Sequence, residues 1–386
     1  MKRKIVLAFF LLLVNLVFSQ SGKLIVKGKV IDETKMGIPF AAVSIAHKSI
    51  GIATTEDGDF RLLLTNENLE DTLVISTIGY KTFKILVRDY ILQKEKIIAL
   101  EEEVGVLDEV TLTASIFYVR KALKNLKNST VSQRHQLNLL YRRYSTEDHK
   151  TRFFVEHYIK AIDRGPVSNA FVEMEITQSR KSADYRFVKQ TQNVHGIKIM
   201  NRINVVRKGI SVKKYKWKNV GGTTYDGEDI IIIEGSRWKG DALRLYIGMD
   251  TYGIYKIENS DLNAIYIYKK NSEGKLFLSY HSREWKSKKN ISNQLKTQLK
   301  KKNNKVNLSY RHEMFVLDIE TDKKKFDIDV PIQANKDIAN YKIPFNVTFW
   351  NNFVAPPETE FYKKSIKEIE SIYGVPIEVQ FKVVNK

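Results

Sequence analysis

Leu243-Arg244-Leu245-Tyr246-Ile247-Gly248-Met249-Asp250-Thr251-Tyr252-Gly253-Ile254-Tyr255-Lys256-Ile257-Glu258 decides the fold of the larger part of the chain. Leu243, Leu245 and Ile247 alternate with Arg244 and Tyr246, and beyond the turn Tyr255 and Ile257 alternate with Lys256 and Glu258. A period of two means extended strands with one packed and one wetter face. The Asp-Thr-Tyr-Gly between them is turn chemistry, so the run is a β-hairpin. The same alternation predicts strands at 137–145, 152–162, 170–178, 210–217, 229–235, 242–249, 253–259, 265–269, 276–284 and 306–319. Together they predict a mainly β region over 115–386, built as a large curled antiparallel sheet, half-barrel-like, with a few helices.

Two helices punctuate this pattern. Ile116, Val119, Leu123 and Leu126 recur at helical spacing with lysines opposite, which is one apolar face. Residues 358–373 follow Pro356-Pro357, place Ile366, Ile369 and Tyr373 on one face, and end at Gly374. This second helix is expected to cover the open side of the sheet. The final stretch 377–383 reads as one more strand.

Residues 22–103 are different. Short strands at 24–32, 38–46, 51–55, 60–64, 71–80, 81–87 and 97–100 are separated by turns such as Asp57-Gly58. Seven strands at this spacing predict a β-sandwich, with Val30, Val43, Phe60, Val74 and Ile75 in its core. The series Gly28-x-Val30-x-Asp32, Gly37-Ile38-Pro39-Phe40-Ala41-Ala42-Val43, Gly51 to Thr55, Asp57-Gly58-Asp59-Phe60 and Ser76-x-x-Gly79-Tyr80 resembles the carboxypeptidase regulatory-like domain. That family is a transthyretin-like seven-stranded sandwich, common at the N-termini of exported Bacteroidetes proteins. The resemblance implies an accessory role and no peptidase activity. The hairpin at 243–258 is similar to those of lipoprotein-carrier-like half-barrels, which implies a sheet wrapped around an apolar cavity.

Residues 104–114 read as a linker, acidic and broken by Gly105. Leu107 to Ala114 resembles the segment leading to the plug of TonB-dependent receptors. Too few residues follow for a receptor barrel, so a connecting strand is the expected role.

Met1 to Ser19 has the three parts of a secretory signal: basic Lys2, Arg3 and Lys4, an apolar stretch from Ile5 to Phe18, and small Ser19 near the cut. The apolar stretch is short for a membrane span. The chain has 64 Lys+Arg against 44 Asp+Glu, a net charge of +20. For an exported protein this favours anionic envelope surfaces and not nucleic acid. With no Cys, disulfides, thiolate zinc sites and cysteine nucleophiles are excluded.

No catalytic constellation emerges. His281-Ser282-Arg283-Glu284 matches the H-x-x-E zinc pair, yet on a strand these positions point to opposite faces. Ser211-x-x-Lys214 and Ser236-x-x-Lys239 lack the partners of S-x-x-K enzymes. The glycines at 235 and 240 have phosphate-loop spacing, but Asp241 stands where Lys is required. Glu173 and Glu175 share a strand face, expected to be solvated. Glu56, Asp57 and Asp59 miss the calcium-loop spacing and read as a solvated turn. No cofactor, metal or catalytic residue is therefore predicted. The densest basic stretch holds Arg283, Lys286, Lys288, Lys289, Lys296, Lys300, Lys301, Lys302 and Lys305 against Glu284 alone, as an exposed loop or hairpin extension. It is the candidate contact with an anionic membrane surface. The expected protein is a non-enzymatic envelope module, periplasmic or outer-membrane-associated, for an apolar ligand or an envelope partner. A hydrolase with an unrecognised site, or an accessory to outer-membrane uptake or assembly, is the alternative. A cavity lined by aliphatic groups, a cleft of converging His and carboxylates, or a filled sheet would separate these readings.

Overall fold

A computed structural model describes residues 22–103, 112–188, 204–237, 242–332 and 337–385. The predicted signal and most of the predicted linker lie outside the described residues. Strands β1 (Lys23–Ile31), β4 (Asp59–Thr65) and β7 (Ile97–Ala99) form one sheet. β2 (Ala42–Ile45), β3 (Gly51–Ala53), β5 (Thr72–Ser76) and β6 (Phe83–Leu86) form the other. Between them lie Val30, Val43, Phe60, Leu73, Ile75 and Ile98, all buried. This is the expected seven-stranded sandwich, with one correction. Val74 is only half-buried and opposes Lys84, because strand alternation lets Leu73 and Ile75, but not Val74, share the inner face. The strand expected to reach Val87 stops at Leu86, and α1 (Val87–Leu92) turns inward to deliver Tyr90. Tyr90 explains Gly28, since a Cβ there would stand 2.0 Å from the Tyr90 hydroxyl. Gly58 holds φ at +83° in the Asp-Gly turn, a backbone region open to glycine.

The larger sheet has ten strands in the order β10-β9-β8-β17-β16-β15-β14-β13-β12-β11, and it is not closed. They are β8 (His135–Glu147), β9 (Lys150–Asp163), β10 (Glu173–Lys181), β11 (Lys216–Tyr225), β12 (Glu228–Ser236), β13 (Ala242–Gly248), β14 (Ile254–Asn259), β15 (Ala264–Lys270), β16 (Leu276–Asn290) and β17 (Lys305–Glu320). All neighbours are antiparallel, and the pairing of β8 with β17 joins two runs of hairpins. The decisive hairpin forms as read, with Leu245 opposite Ile257. One strand is displaced from its expected place at 210–217. β11 begins at Lys216 because Asp226 and Gly227, both at positive φ, make a two-residue turn that pairs Tyr225 with Glu228.

The two faces are covered differently. On one, α2 (Leu112–Ser129) lays Val119, Ala122 and Leu126 against a core that includes Leu139, Tyr141, Leu245 and Ile257. The short α3 (Val205–Lys208) adds Val205 and Val206 to it. On the opposite face sits the sandwich, with Phe40 stacked on Tyr280 at 4.3 Å and Ala53 packed with Leu140 and Phe315. α4 (Asn293–Gln298) tops the long β16–β17 hairpin. α5 (Val347–Asn352), α6 (Glu360–Glu370) and α7 (Ile377–Val384) share the sandwich's face. The expected C-terminal helix is therefore present, ended by Gly374 at φ +67°, but it covers Tyr144 and Phe154 and not the face that α2 fills. The final segment is helix instead of strand. Pro376 precedes it, and Ile377 and Phe381, one turn apart, both enter the Tyr144 cluster.

A buried carboxylate organises that face. Glu156 on β9 accepts from Arg142 Nε at 2.6 Å and from Arg180 Nε, and is itself fully enclosed. Burial alone would raise its pKa, but Arg180 and Arg142 outweigh it and hold the carboxyl below its ordinary value. The Arg142 guanidinium lies 5.0 Å over Tyr362 of α6, and that of Arg180 lies 4.4 Å over Trp350 of α5. Glu156→Gln leaves two guanidiniums in the interior without a compensating charge. We predict a loss of about 3–5 kcal/mol, read as a lower urea midpoint at unchanged slope; wild-type stability would refute it. On the α2 face, burial drives the imidazoles of His157 and His281 down to about 3. Unfolded histidine titrates near about 6.5, so below that pH the unfolded chain binds protons that the folded chain does not. Stability should then fall as pH drops through this window, by up to about 1.4 kcal/mol per pH unit per histidine. His157→Gln with His281→Gln should flatten that slope in acid-unfolding measurements, and an unchanged slope would contradict it.

Candidate functional site

The alternation of β4 sends Phe60, Leu62 and Leu64 inward and leaves Leu63 exposed. The sandwich thus presents an apolar edge toward the sheet. Asn346 caps α5 by accepting from Phe349 N at 2.9 Å. That helix stacks Phe349 on Phe353 at 5.2 Å, and both meet the ring of Tyr158 at 5.5 Å. Between these walls lies a groove of about 1120 Å³, lined also by Ile50, Ile52 and Leu317. Lys23, Lys48, Arg61, Glu67 and Asp318 are its exposed charged residues. Lys48 is paired with Asp71, whereas Lys23 and Arg61 have no carboxylate partner among the described residues. On the sheet side, partial burial raises the pKa of Asp318.

The sandwich and the sheet are joined by specific polar contacts around this groove. Lys269 Nζ donates to Gly51 O at 2.7 Å, and burial lowers its pKa to about 8. Arg311 pairs with Glu56 at 2.7 Å, and Asp57 accepts from the backbone N of Glu360 at 2.8 Å. The acidic turn read as solvated is therefore an anchor, which the sequence alone does not reveal.

The buried histidines among the described residues are each engaged in local packing and hydrogen bonds. His135 lies 3.6 Å from Asp163, and Arg207 grips the same carboxylate. Burial would raise the Asp163 pKa, but Arg207 and His135 hold it far below the ordinary range. Tyr141 Oη meets His312 Nδ1 at 2.6 Å, His157 Nε2 meets Ile338 O, and His281 Nδ1 meets Ile265 O while its ring stacks on Tyr266 at 4.1 Å. His281 and Glu284 lie on opposite faces of β16, with Glu284 held by Ser309 and Asn263. Among the described residues, no group of three or more His, Asp or Glu could hold a metal ion. Glu173 binds Arg134, and Glu175 accepts from Asp329 N. Ser211 starts a 3-10 turn ending at Lys214. Lys239, Gly240 and Asp241 lie outside the described residues.

The basic stretch is a hairpin extension. Lys286, Lys288, Lys289, Lys300, Lys302 and Lys305 are exposed, and Lys296 is half-buried on α4. Lys286 pairs with Glu284 at 3.0 Å, and Lys301 pairs with Asp148. Arg283 is set apart. It stands half-buried in register with His312 and Arg143 on the α2 face, where burial lowers its pKa. Sequence reading missed the groove because its walls come from 50–64, 158, 317 and 349–354. Phe349-Trp350-Asn351-Asn352-Phe353 was the visible signal.

No helix among the described residues is long and apolar enough to cross a membrane. No curated protein matches the chain. Among solved structures, the chain is similar to a DUF1329 family protein from Desulfovibrio piger at 10% identity, covering 55% of this chain and 95% of that one, with a TM-score of 0.28. It is also similar to a LolA superfamily protein from Nitrosomonas europaea at 15% identity, covering 55% and 98%, with a TM-score of 0.25. Residues 26–112 match the family model of the CarboxypepD_reg-like domain, the family that the N-terminal motifs resemble.

Proposed function

We propose that the protein is an exported, non-catalytic binding component of the bacterial envelope. Its ligand site is the groove between the sandwich and the sheet, and its ligand is an amphiphile with an apolar body and an acidic head. The observation behind this reading is the groove itself: about 1120 Å³, walled by Leu63, Tyr158, Phe349 and Phe353. Such a volume matches a ligand pocket with mostly apolar walls and a few polar groups. Export is supported by the basic, apolar and small-residue parts of Met1–Ser19. The α2 face of the sheet is packed with Val119, Tyr141, Leu245 and Ile257. Lys23 and Arg61 provide cations for the acidic head.

The chain beginning at Gly22 should bind a dansylated fatty acid with a rise in fluorescence. Phe349→Asp and, on the opposite wall, Leu63→Asp should each weaken binding by at least about tenfold, or about 1.4 kcal/mol. Leu63 is substantially exposed, so its replacement tests the wall and not the core. Binding unchanged in both variants would sink the proposal.

A further inference from the structure

A run of charge such as 283–305 is commonly a loose, solvated loop. Here it is ordered. β16 and β17 stay paired out to Asn290 and Lys305. Beyond them Ser292 caps α4 by accepting from Leu295 N. Ile291, Val306, Leu308 and Tyr310 form a small core under the tip, with Leu295, Leu299 and Trp285 against it. Asp148 ties the far side down by pairing with Lys301 and accepting from Asn307 N. The hairpin is thus a platform that presents Lys288, Lys289, Lys300, Lys302 and Lys305. None has a carboxylate partner among the described residues.

At the root of this platform lies a second cavity, of about 590 Å³. The alternation of β16 turns Glu284, Lys286 and Lys288 toward it, α6 contributes Lys364, and the β8–β9 turn contributes His149. Its one carboxylate, Glu284, is compensated by Ser309 at 2.6 Å, Asn263 at 3.0 Å and Lys286 at 3.0 Å. Arg311 is held by Glu56 and Glu313 and lies 4.1 Å over Phe361. Lys288 and Lys364 remain uncompensated at a recess large enough for a phosphate-bearing headgroup.

We propose that the hairpin and this cavity form one docking surface for an anionic phospholipid bilayer, with Lys288 and Lys364 receiving a lipid phosphate and the tip lysines lying against the headgroup plane. The proposal is independent of the groove reading, since it uses a different cavity and different residues. Each lysine near such a surface contributes about fivefold in partitioning. The attraction fades as salt shortens the screening length from about 10 Å at 0.1 M to about 3 Å at 1 M.

The test is co-sedimentation of the chain from Gly22 to Lys386 with vesicles of three parts phosphatidylcholine to one part phosphatidylglycerol, against pure phosphatidylcholine. Binding is expected to the mixed vesicles only, at about 50 mM salt and not at about 500 mM. Lys289→Glu with Lys300→Glu and Lys302→Glu, and separately Lys288→Glu with Lys364→Glu, should each reduce it at least about tenfold. The exposed sandwich pair Lys35→Glu with Lys94→Glu should leave it within about twofold, since those lysines lie outside the platform. Unchanged thermal melting in all variants confirms that folding is intact. No binding to the mixed vesicles, equal loss in the sandwich pair, or no loss in the Lys288/Lys364 pair overturns the proposal. Displacement by inorganic phosphate at matched ionic strength also overturns it, because the cavity would then take the free ion.

Discussion

The sandwich side of the large sheet depends on one buried carboxylate. Glu156 is fully enclosed, so its charge is tolerable only between Arg142 and Arg180. Those guanidiniums need flat neighbours as well as a counter-ion, and they find Phe315 and Tyr362 on one side and Trp350 and Phe381 on the other. A triad of this kind adds little net stability over a well-packed apolar core. Its effect is positional. It sets where α5, α6 and α7 sit, and α5 in turn presents Phe349 and Phe353 to the groove.

The same chain treats polar groups on the other face in a contrasting way. Tyr141, His157, His281, His312 and Arg143 are drawn into the packing beneath α2, with the imidazoles of His157 and His281 kept neutral by burial. Arg143 is partnered by Asp337 at 2.6 Å, while its Nε and Nη2, like His157 Nδ1, have no hydrogen-bond partner among the described residues. Their chemistry there is that of a polar core.

Much of the architecture was legible in the residues because strand alternation and turn chemistry are local. The hairpin at 243–258, the seven short strands, the α2 face and the Gly374 stop each follow from neighbours within about one turn of chain. The errors fall where a local pattern had two solutions. Ile377 to Val384 satisfies both an alternating and a helical reading, and packing on Tyr144 selected the helix. Val74 stands beside two equally apolar neighbours, and the register decided which faced inward. At the start of β11, the Asp226-Gly227 turn sets the register and outweighs the apolar run before it. The groove could not be read at all, since Leu63, Tyr158 and Phe353 become neighbours only through tertiary docking. The basic hairpin was visible as charge, but its order depends on a small core whose members are spread from Val188 to Tyr310.

The contact between Asp57 and the backbone of Glu360 joins residues 303 positions apart. It imposes an order of events on biosynthesis. The sandwich, made first, can collapse while the rest of the chain is still emerging. Its apolar edge then waits, exposed, for partners encoded near the other end. Neither wall of the groove can close before Phe349 and Phe353 have been translated and swung back onto Tyr158. A chain interrupted upstream of them would hold a folded first sheet pair and bare leucines, a state distinguishable by quality-control proteases from the finished molecule.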